Sequence, residues 1–506
     1  MEKEFCFYYT ADIHGHIFPV NYAVNCAEDS GLLRIAPQIE KDGNTLVLDG
    51  GDALQGTPLI QYYLMHRGEW PLHPVASAFN AMGVDYFTLG NHDFNFGYEA
   101  LRDYLLSMNG LCLCANIEDL GGELNIQPWT VHTLANGLRI GVTGIVTDYV
   151  NIWERSENLD RLRITDAFSA AQAACAALAP LCDVRLCIYH GGFEEDLETG
   201  WVISDSGENI ACKIARELDF DLLLTGHQHM AVEGTEFSGT YVVQPPANAR
   251  LFFQIIGRWD GVRSQICSEL LPVGGEHLEE PYQSLLPLEC TVQSWLDQPV
   301  GALIQPIPSE EKLEAALYGS YMAALFNQIQ LAETGADFSC TSLGNDPVGL
   351  DSPVTMRGVM AACPFANTLV VLEVTEAILR QALERCAAYF KLVNGRPQIS
   401  EEFLRPKVEH YNYDFYAGLS YAFDLRRPVG SRLARLVRAD GTPLGTGPFR
   451  LCTSDYRATG TGGYGILREC PILWRGSVEM PDLIARYIRA NGPVPTSNNG
   501  ELHVIW

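Results

Sequence analysis

The stretch Phe5-Cys-Phe-Tyr-Tyr-Thr-Ala-Asp-Ile-His-Gly15 is a β-rich apolar run that breaks off into two metal-binding side chains, Asp12 and His14, and then a glycine. A strand that ends this way in a loop is how α/β proteins build the rim of a site. Four further runs repeat the design. Thr45 to Leu48 leads to Asp49 and Asp52, and Tyr86 to Leu89 leads to Asn91, His92 and Asp93. Leu186 to Tyr189 leads to His190, and Leu222 to Leu224 leads to His227 and His229. Loops are rich in Asp and His, so one such run carries little weight. Five in succession, all offering oxygen or imidazole, mark the chain as an enzyme with two metal ions.

The spacings say how the ligands divide. Asp12 and His14 stand two residues apart; in extended chain such residues point to one side, so both are expected to reach one ion. Gly50 and Gly51 permit a tight turn before Asp52, whose two oxygens allow it to bridge two cations. His227 and His229 repeat the spacing of two and are expected to send one imidazole to each ion, with Asn91 and His190 completing a second coordination sphere. Mixed oxygen and nitrogen donors suit Mn, Co, Zn or Fe better than Ca, with Mg also admitted. Any one of these histidines, taken alone, is more often structural than a ligand. Asp49, placed before Gly-Gly, reads as a turn or supporting residue, and His16, His66 and His73 read as surface or packing.

A chain of 506 residues exceeds one ordinary hydrophobic core, so two domains are expected. A net charge of −28 excludes general polynucleotide binding, which needs basic surface to displace counterions. It would also repel a small anionic substrate, unless cations in the site dominate the local potential. Polynucleotide and membrane partners are therefore not expected, whereas a small phosphate-bearing substrate stays open; the chain itself is expected to be a monomer, with a dimer admitted. Met1-Glu-Lys-Glu4 runs straight into the first strand with no basic, apolar leader, and the fifteen cysteines lack framework spacing, Cys112 and Cys114 included. Free thiols in a reducing cytoplasm are the expectation.

Strand-like and helix-like runs alternate from residue 1 to about 265, with Ala167 to Leu178 as a helix and Arg139 to Val146 and Tyr241 to Gln244 as strands. Pro272-Val-Gly-Gly275 breaks the pattern, so 266–300 reads as a linker holding a connecting helix over Pro281 to Asp297. The second unit, 301–506, is expected to open with a long helix from Ser309 to Leu331. Thr368 to Val374, Leu419 to Leu425 and Phe449 to Thr453 read as its strands, and Glu376 to Phe390 as a helix.

Thr10-Ala-Asp-Ile-His-Gly15, Gly50-Gly-Asp-Ala-Leu-Gln-Gly-Thr-Pro58, Gly90-Asn-His-Asp-Phe-Asn-Phe-Gly97 and Gly226-His-Gln-His229 occur in that order. Together they resemble the calcineurin-like metallophosphoesterases, specifically the 5′-nucleotidase family. Pro364-Phe-Ala-Asn-Thr-Leu-Val-Val-Leu372 and Asp455-Tyr-Arg-Ala-Thr-Gly-Thr-Gly-Gly-Tyr464 resemble that family's nucleotide-binding C-terminal domain. The resemblance implies a mixed α/β (α+β) protein, a four-layer α-β-β-α sandwich followed by an α/β domain that binds substrate. It implies one ion held by Asp12, His14, Asp52 and His229, and a second held by Asp52, Asn91, His190 and His227. His92 matches the catalytic histidine that contacts the phosphate or the leaving oxygen. Tyr413 and Tyr456 match the two aromatics that sandwich the base, and Arg457 is expected to touch ribose or phosphate.

Asn95 departs from the 5′-nucleotidases proper, where an Asp partners the catalytic histidine. The 2′,3′-cyclic-nucleotide 2′-phosphodiesterase/3′-nucleotidase branch is similar at this point, reading Asn-His-Glu-Phe-Asn-Tyr-Gly. His229 stands where many 5′-nucleotidases have Gln, Tyr411-Asn-Tyr-Asp-Phe-Tyr-Ala-Gly-Leu-Ser-Tyr421 resembles the branch, and Ser339 to Asn345 lacks the Arg of the 5′-nucleotidases. The implied reaction is direct hydrolysis of nucleotides by metal-activated water. A 5′-nucleotidase, another phosphomonoesterase or a thiosulfate-ester hydrolase on the same scaffold is the alternative, and a non-catalytic nucleotide- or metal-binding protein the remoter one.

Overall fold

The computed structural model describes residues 2–204, 206–365, 367–405, 407–498 and 501–506, so Ala366 of the Pro364–Leu372 motif lies outside them. The chain forms two compact units, Met1–Gln293 and Ser294–Trp506.

Five strands of the first unit lead to the ligand residues: β1 (Lys3–Thr10), β2 (Thr45–Asp49), β3 (Tyr86–Phe87), β4 (Val184–His190) and β5 (Leu222–Thr225). The first three run parallel in the middle of a seven-stranded sheet. Leu251–Trp259 and Ser264–Pro272 complete one edge, and Leu111–Leu113 and Ile126–Gln127 the other. β4 and β5 are parallel neighbours in a six-stranded sheet, with Arg139–Val146 beyond β4 and Thr240–Gln244 beyond β5. Register brings the strand ends level: Thr10 stands opposite Asp49, and Tyr189 opposite Thr225.

Alternation along these strands builds the layers. Phe5, Phe7 and Tyr9 of β1 share one buried cluster with Leu186 and Ile188 of β4 and Leu222 and Leu224 of β5, the core between the sheets. Cys187, Tyr189 and Leu223 turn the other way, onto helices Ala167–Leu178 and Ala211–Glu217. Strands covered on both faces read as continuous apolar runs, which is how they appear in the sequence. On the far side of the first sheet, Phe87 packs 5.8 Å from Tyr104 of the helix Gly97–Ser107. The result is helix, sheet, sheet, helix.

Ser264–Pro272 pairs antiparallel with Leu251–Trp259 along its whole length, so the first unit continues past residue 265, where the sequence placed its end. Pro272 is the last residue of that strand, and the helix Glu279–Leu296 occupies the expected connecting segment.

In the second unit a five-stranded sheet takes the order Asp414–Ala417, Phe338–Ser342, Phe449–Ser454, Thr368–Val374, Ile472–Glu479. Helices Tyr321–Thr334, Glu376–Ala387 and Met480–Asn491 contribute to its core. The single helix expected over Ser309 to Leu331 is instead two, Lys312–Tyr318 and Tyr321–Thr334. Gly319 takes a φ of 89° and Ser320 caps the second helix by accepting from the Ala323 N–H at 3.1 Å. The helix expected to reach Phe390 stops at Ala387, and Phe390 opens a strand to Val393. No disulfide joins the cysteines among the described residues, and most of them are buried. No helix among the described residues is long and apolar enough to cross a membrane.

Candidate metal centre

The ligand residues gather into two groups. Asp12, His14 and His229 form one, Asp52, His190 and His227 the other, and within each group the ligand atoms lie within 4.8 Å of one another. In the first, Nε2 of His14 and Nε2 of His229 face each other at 2.9 Å, and the latter is 3.5 Å from Oδ1 of Asp12. In the second, Nε2 of His190 is 3.3 Å from Oδ2 of Asp52. Oδ1 of Asn91 joins this group, 2.8 Å from Nδ1 of His227 and 3.2 Å from Nε2 of His190.

Convergence does not come from pleated strand, as the spacing of two suggested. Asp12, His14, Asp52, His227 and His229 all have positive φ, from 47° to 73°. The left-handed turns after the strands, rather than the two-residue period, bring each pair together. Glycines flank them because the ligands press on backbone: a Cβ on Gly90 would lie 2.1 Å from Oδ1 of Asp52, and one on Gly226 would lie 2.6 Å from Oδ2 of Asp12.

Asp93 ties the loops to each other. Its carboxylate accepts from the backbone N–H groups of Asp52 at 2.9 Å, Ala53 at 2.8 Å, Leu54 at 2.9 Å and Gly90 at 2.8 Å. Burial, with the charge of Asp52 nearby, pushes its pKa up to about 6. Asp49 also supports the rim: it accepts from the Thr10 hydroxyl at 2.7 Å and the Gly51 N–H at 2.9 Å, and burial pushes it up to about 8.

Hydrogen bonds on the far side of each ring decide which nitrogen faces inward. Nδ1 of His14 is 2.9 Å from the Gln55 carbonyl and Nδ1 of His190 is 2.7 Å from the Gly50 carbonyl, so both present Nε2. His227 is turned round, with Nε2 held by Glu208 at 2.7 Å and its ring stacked on Trp153 at 5.4 Å. Burial, together with neighbouring His229, lowers the His14 pKa to about 3 and keeps that ring a neutral donor. Burial opposes the charge on Asp52, yet His190, His92 and His14 around it hold the carboxyl well below the usual range.

These donors fit a pair of divalent cations. Oδ1 of Asp52 accepts from the His92 N–H at 2.7 Å, whereas its Oδ2 is buried with no hydrogen-bond partner among the described residues. Lone pairs of His14 and His229 aimed at one point are likewise what a cation would satisfy, and no thiolate is involved.

His92 borders both groups. Its ring centroid is 5.6 Å from that of His14, and its Nδ1 lies 2.8 Å from Oδ1 of Asn95. Asn95 in turn contacts Glu154, which the sequence reading did not single out. Neither Glu154 nor Glu208 carries a motif; both sit in polar segments that only the tertiary fold brings to the rim.

The substrate residues expected in the second unit are redistributed. Tyr413 is 2% exposed, its ring packed against Tyr389, Phe390 and Phe415, and its hydroxyl donates to the Ala316 carbonyl at 3.0 Å. Tyr413 is a core residue in this structure and presents no face for a base. Arg457, also 2% exposed, is an internal strut rather than a ribose or phosphate contact. Its Nη2 donates to Asp414 and to the Tyr411 carbonyl, each at 2.9 Å, its Nη1 to the Thr461 carbonyl at 2.7 Å, and its guanidinium lies 4.1 Å from the Tyr464 ring. Tyr456 remains at a partly open position, and the ring beside it is Tyr411, at 6.3 Å and 72°. Phe365, 43% exposed, stands 6.2 Å from Tyr411.

Residues 7–231 match the calcineurin-like phosphoesterase family, and residues 306–469 match the 5′-nucleotidase C-terminal domain. The trifunctional nucleotide phosphoesterase protein YfkN of Bacillus subtilis is 23% identical over 95% of this chain, which spans only 37% of that protein's length. A 2′,3′-cyclic-nucleotide 2′-phosphodiesterase/3′-nucleotidase of Haemophilus influenzae is 23% identical over 98% of this chain and 86% of its own. Among solved structures, a candidate 5′-nucleotidase from Staphylococcus aureus, in complex with α-ketoglutarate, is 30% identical over 100% of both chains, with a TM-score of 0.91.

Proposed function

This chain belongs to the calcineurin-like phosphoesterases that carry a 5′-nucleotidase C-terminal domain and is a metal-dependent phosphoester hydrolase; on that footing we propose that it opens 2′,3′-cyclic nucleotides at the 2′ oxygen and then removes the 3′-phosphate. The observation that carries the finer reading is Asn95, an amide where the 5′-nucleotidases proper have a carboxylate, 2.8 Å from Nδ1 of His92. The Haemophilus influenzae relative, named for activity on 2′,3′-cyclic nucleotides, supports it.

Asp12, His14 and His229 would hold one ion and Asn91, His190 and His227 the other, with Asp52 shared between them. When bound, two such cations supply an activated water and neutralise the charge that builds on the phosphoryl oxygens. The chain's own contribution is His92. With Nδ1 engaged by Asn95, Nε2 is the atom left to face the substrate, and in its protonated state it delivers a proton to the departing oxygen. For a cyclic diester, the bond from water oxygen to phosphorus forms as the bond to the ribose 2′ oxygen breaks, and that oxygen takes the proton. The product is a 3′-nucleotide, which a second round converts to nucleoside and phosphate. In the second unit, Tyr456 is the ring we assign to stacking on a base, with Tyr411 edge-on beside it, a contact worth about 1–3 kcal/mol and tolerant of base identity.

The Staphylococcus aureus likeness favours a second reading, 5′-nucleotide hydrolysis. Phosphate release from a panel of 2′,3′-cyclic, 3′- and 5′-nucleotides, after chelator treatment and reloading with Mn, Co, Zn or Mg, separates the two. Turnover of 5′-nucleotides alone would decide for the second.

A further inference from the structure

The contact between His92 and Asn95 is one link in a longer chain. Nδ2 of Asn95 lies 2.6 Å from Oε2 of Glu154. The other carboxylate oxygen, Oε1, accepts from the Arg155 N–H at 2.8 Å and from Nδ2 of Asn158 at 2.7 Å, and Nδ2 of Asn158 also donates to the Asn95 carbonyl at 2.9 Å. Glu154 closes the short helix Val150–Trp153, the turn that also lays Trp153 on His227.

The direction of every hydrogen bond in this chain follows from its far end. A carboxylate only accepts. Glu154 therefore requires the NH2 end of Asn95, which leaves the Asn95 oxygen facing His92. That oxygen can only accept, so His92 carries its ring proton on Nδ1 and keeps Nε2 for the substrate. Asn95 alone would impose nothing, because an amide turned over offers a donor at the same place. The negative charge that a carboxylate at position 95 would bring is here one residue further out.

We propose that Glu154 is a positioning residue: acting through Asn95, it fixes the tautomer and orientation of the His92 ring. This rests on the reading of His92 as the proton donor in catalysis, but its first test does not.

Glu154→Gln keeps the shape and removes the polarity. Its amide oxygen stays with the two donors, Arg155 N–H and Asn158, so its NH2 meets Asn95. Asn95 must then turn over and offer NH2 to Nδ1 of His92, driving the ring proton to Nε2. Adding Asn95→Asp restores an acceptor toward both neighbours and with it the original tautomer. The readout is the pair of ring-nitrogen shifts of His92 in the full chain, labelled with 15N-histidine and loaded with diamagnetic magnesium. The unsubstituted protein should carry the proton on Nδ1, Glu154→Gln on Nε2, and the double variant on Nδ1 again. Turnover should fall about 10–100-fold in Glu154→Gln, with KM and ion content unchanged, and recover in the double variant. An Nε2-protonated His92 in the unsubstituted protein overturns the proposal without any variant, as does a Glu154→Gln protein whose tautomer and turnover stay as they were. If the tautomers exchange as described while no nucleotide is hydrolysed, the role of Glu154 stands and the proposed reaction falls.

Discussion

Each unit buries a cluster of charged and polar side chains, and the two clusters are finished differently. Around Arg457 the guanidinium meets Asp414, two backbone carbonyls and an aromatic ring, all from its own unit, and Oδ2 of Asp414, which accepts no hydrogen bond, is paired with the Arg457 charge at 2.9 Å. Around Asp52, one buried carboxylate oxygen is left with no hydrogen-bond partner among the described residues, and two imidazole nitrogens face each other across 2.9 Å. Desolvating charge costs several kcal/mol per ion, and the cost is tolerable only where partners are supplied. A network in which a fixed charge of the chain itself pairs the buried carboxylate is scaffolding. One whose ligand atoms converge with no such fixed charge needs something from outside.

Breaking this contrast starts with the chemistry of the open cluster. His92→Ala should lower turnover by about 10²–10⁴-fold with both ions retained, as measured by elemental analysis of the purified variant. Loss of an ion in step with activity would move His92 among the ligands. In the closed cluster, Arg457→Met leaves Asp414 buried and alone, and urea unfolding should show a loss of about 3–5 kcal/mol. Its ion content should match that of the parent; an ion-poor variant would mean that the two clusters are not independent. Gly90→Ala drives a methyl group against Asp52, and competition with a chelating dye should show ion affinity weakened about 10–100-fold.

The smallest effect concerns Glu501, half-buried and accepting weakly from the Gly418 N–H, whose pKa burial raises from 4.5 to about 7. A carboxyl whose folded pKa stands above its unfolded value favours the native state most in acid. Its contribution is complete below 4.5 and fades as the pH climbs to about 7. Glu501→Gln should flatten that slope in unfolding curves taken across the window; a slope unchanged by the substitution would remove Glu501 as its source.

What was legible in the sequence is what chemistry restricts to few residue types. A carboxylate, an imidazole or a glycine under a crowded ligand cannot be exchanged, so Asp12, His14, Asp52 and the glycines beside them stand out in one chain without any alignment. Continuous apolar runs gave the strands of the sandwich for the same reason, since both faces are covered. The geometry that joins those ligands was not legible: a spacing of two fits pleated strand and left-handed turn alike. Tyr411, Tyr413 and Phe415 share one period-two pattern, and nothing local tells which ring turns inward. Tyr413 and Phe415 do and Tyr411 does not, because Tyr389 and Phe390 come from a distant helix end and strand to cover Tyr413. Glu154 and Glu208 belong to the same class, polar residues made significant only by the fold that delivers them.

Five residues of the rim, Asp12, His14, Asp52, His227 and His229, hold backbone angles that side chains other than glycine and asparagine resist, at about 1–3 kcal/mol each. A laboratory lineage selected only for heat tolerance would tend to replace them, and the sturdier proteins it returned would be inert. Stabilising libraries built on this scaffold should keep those five codons fixed and spend their diversity elsewhere.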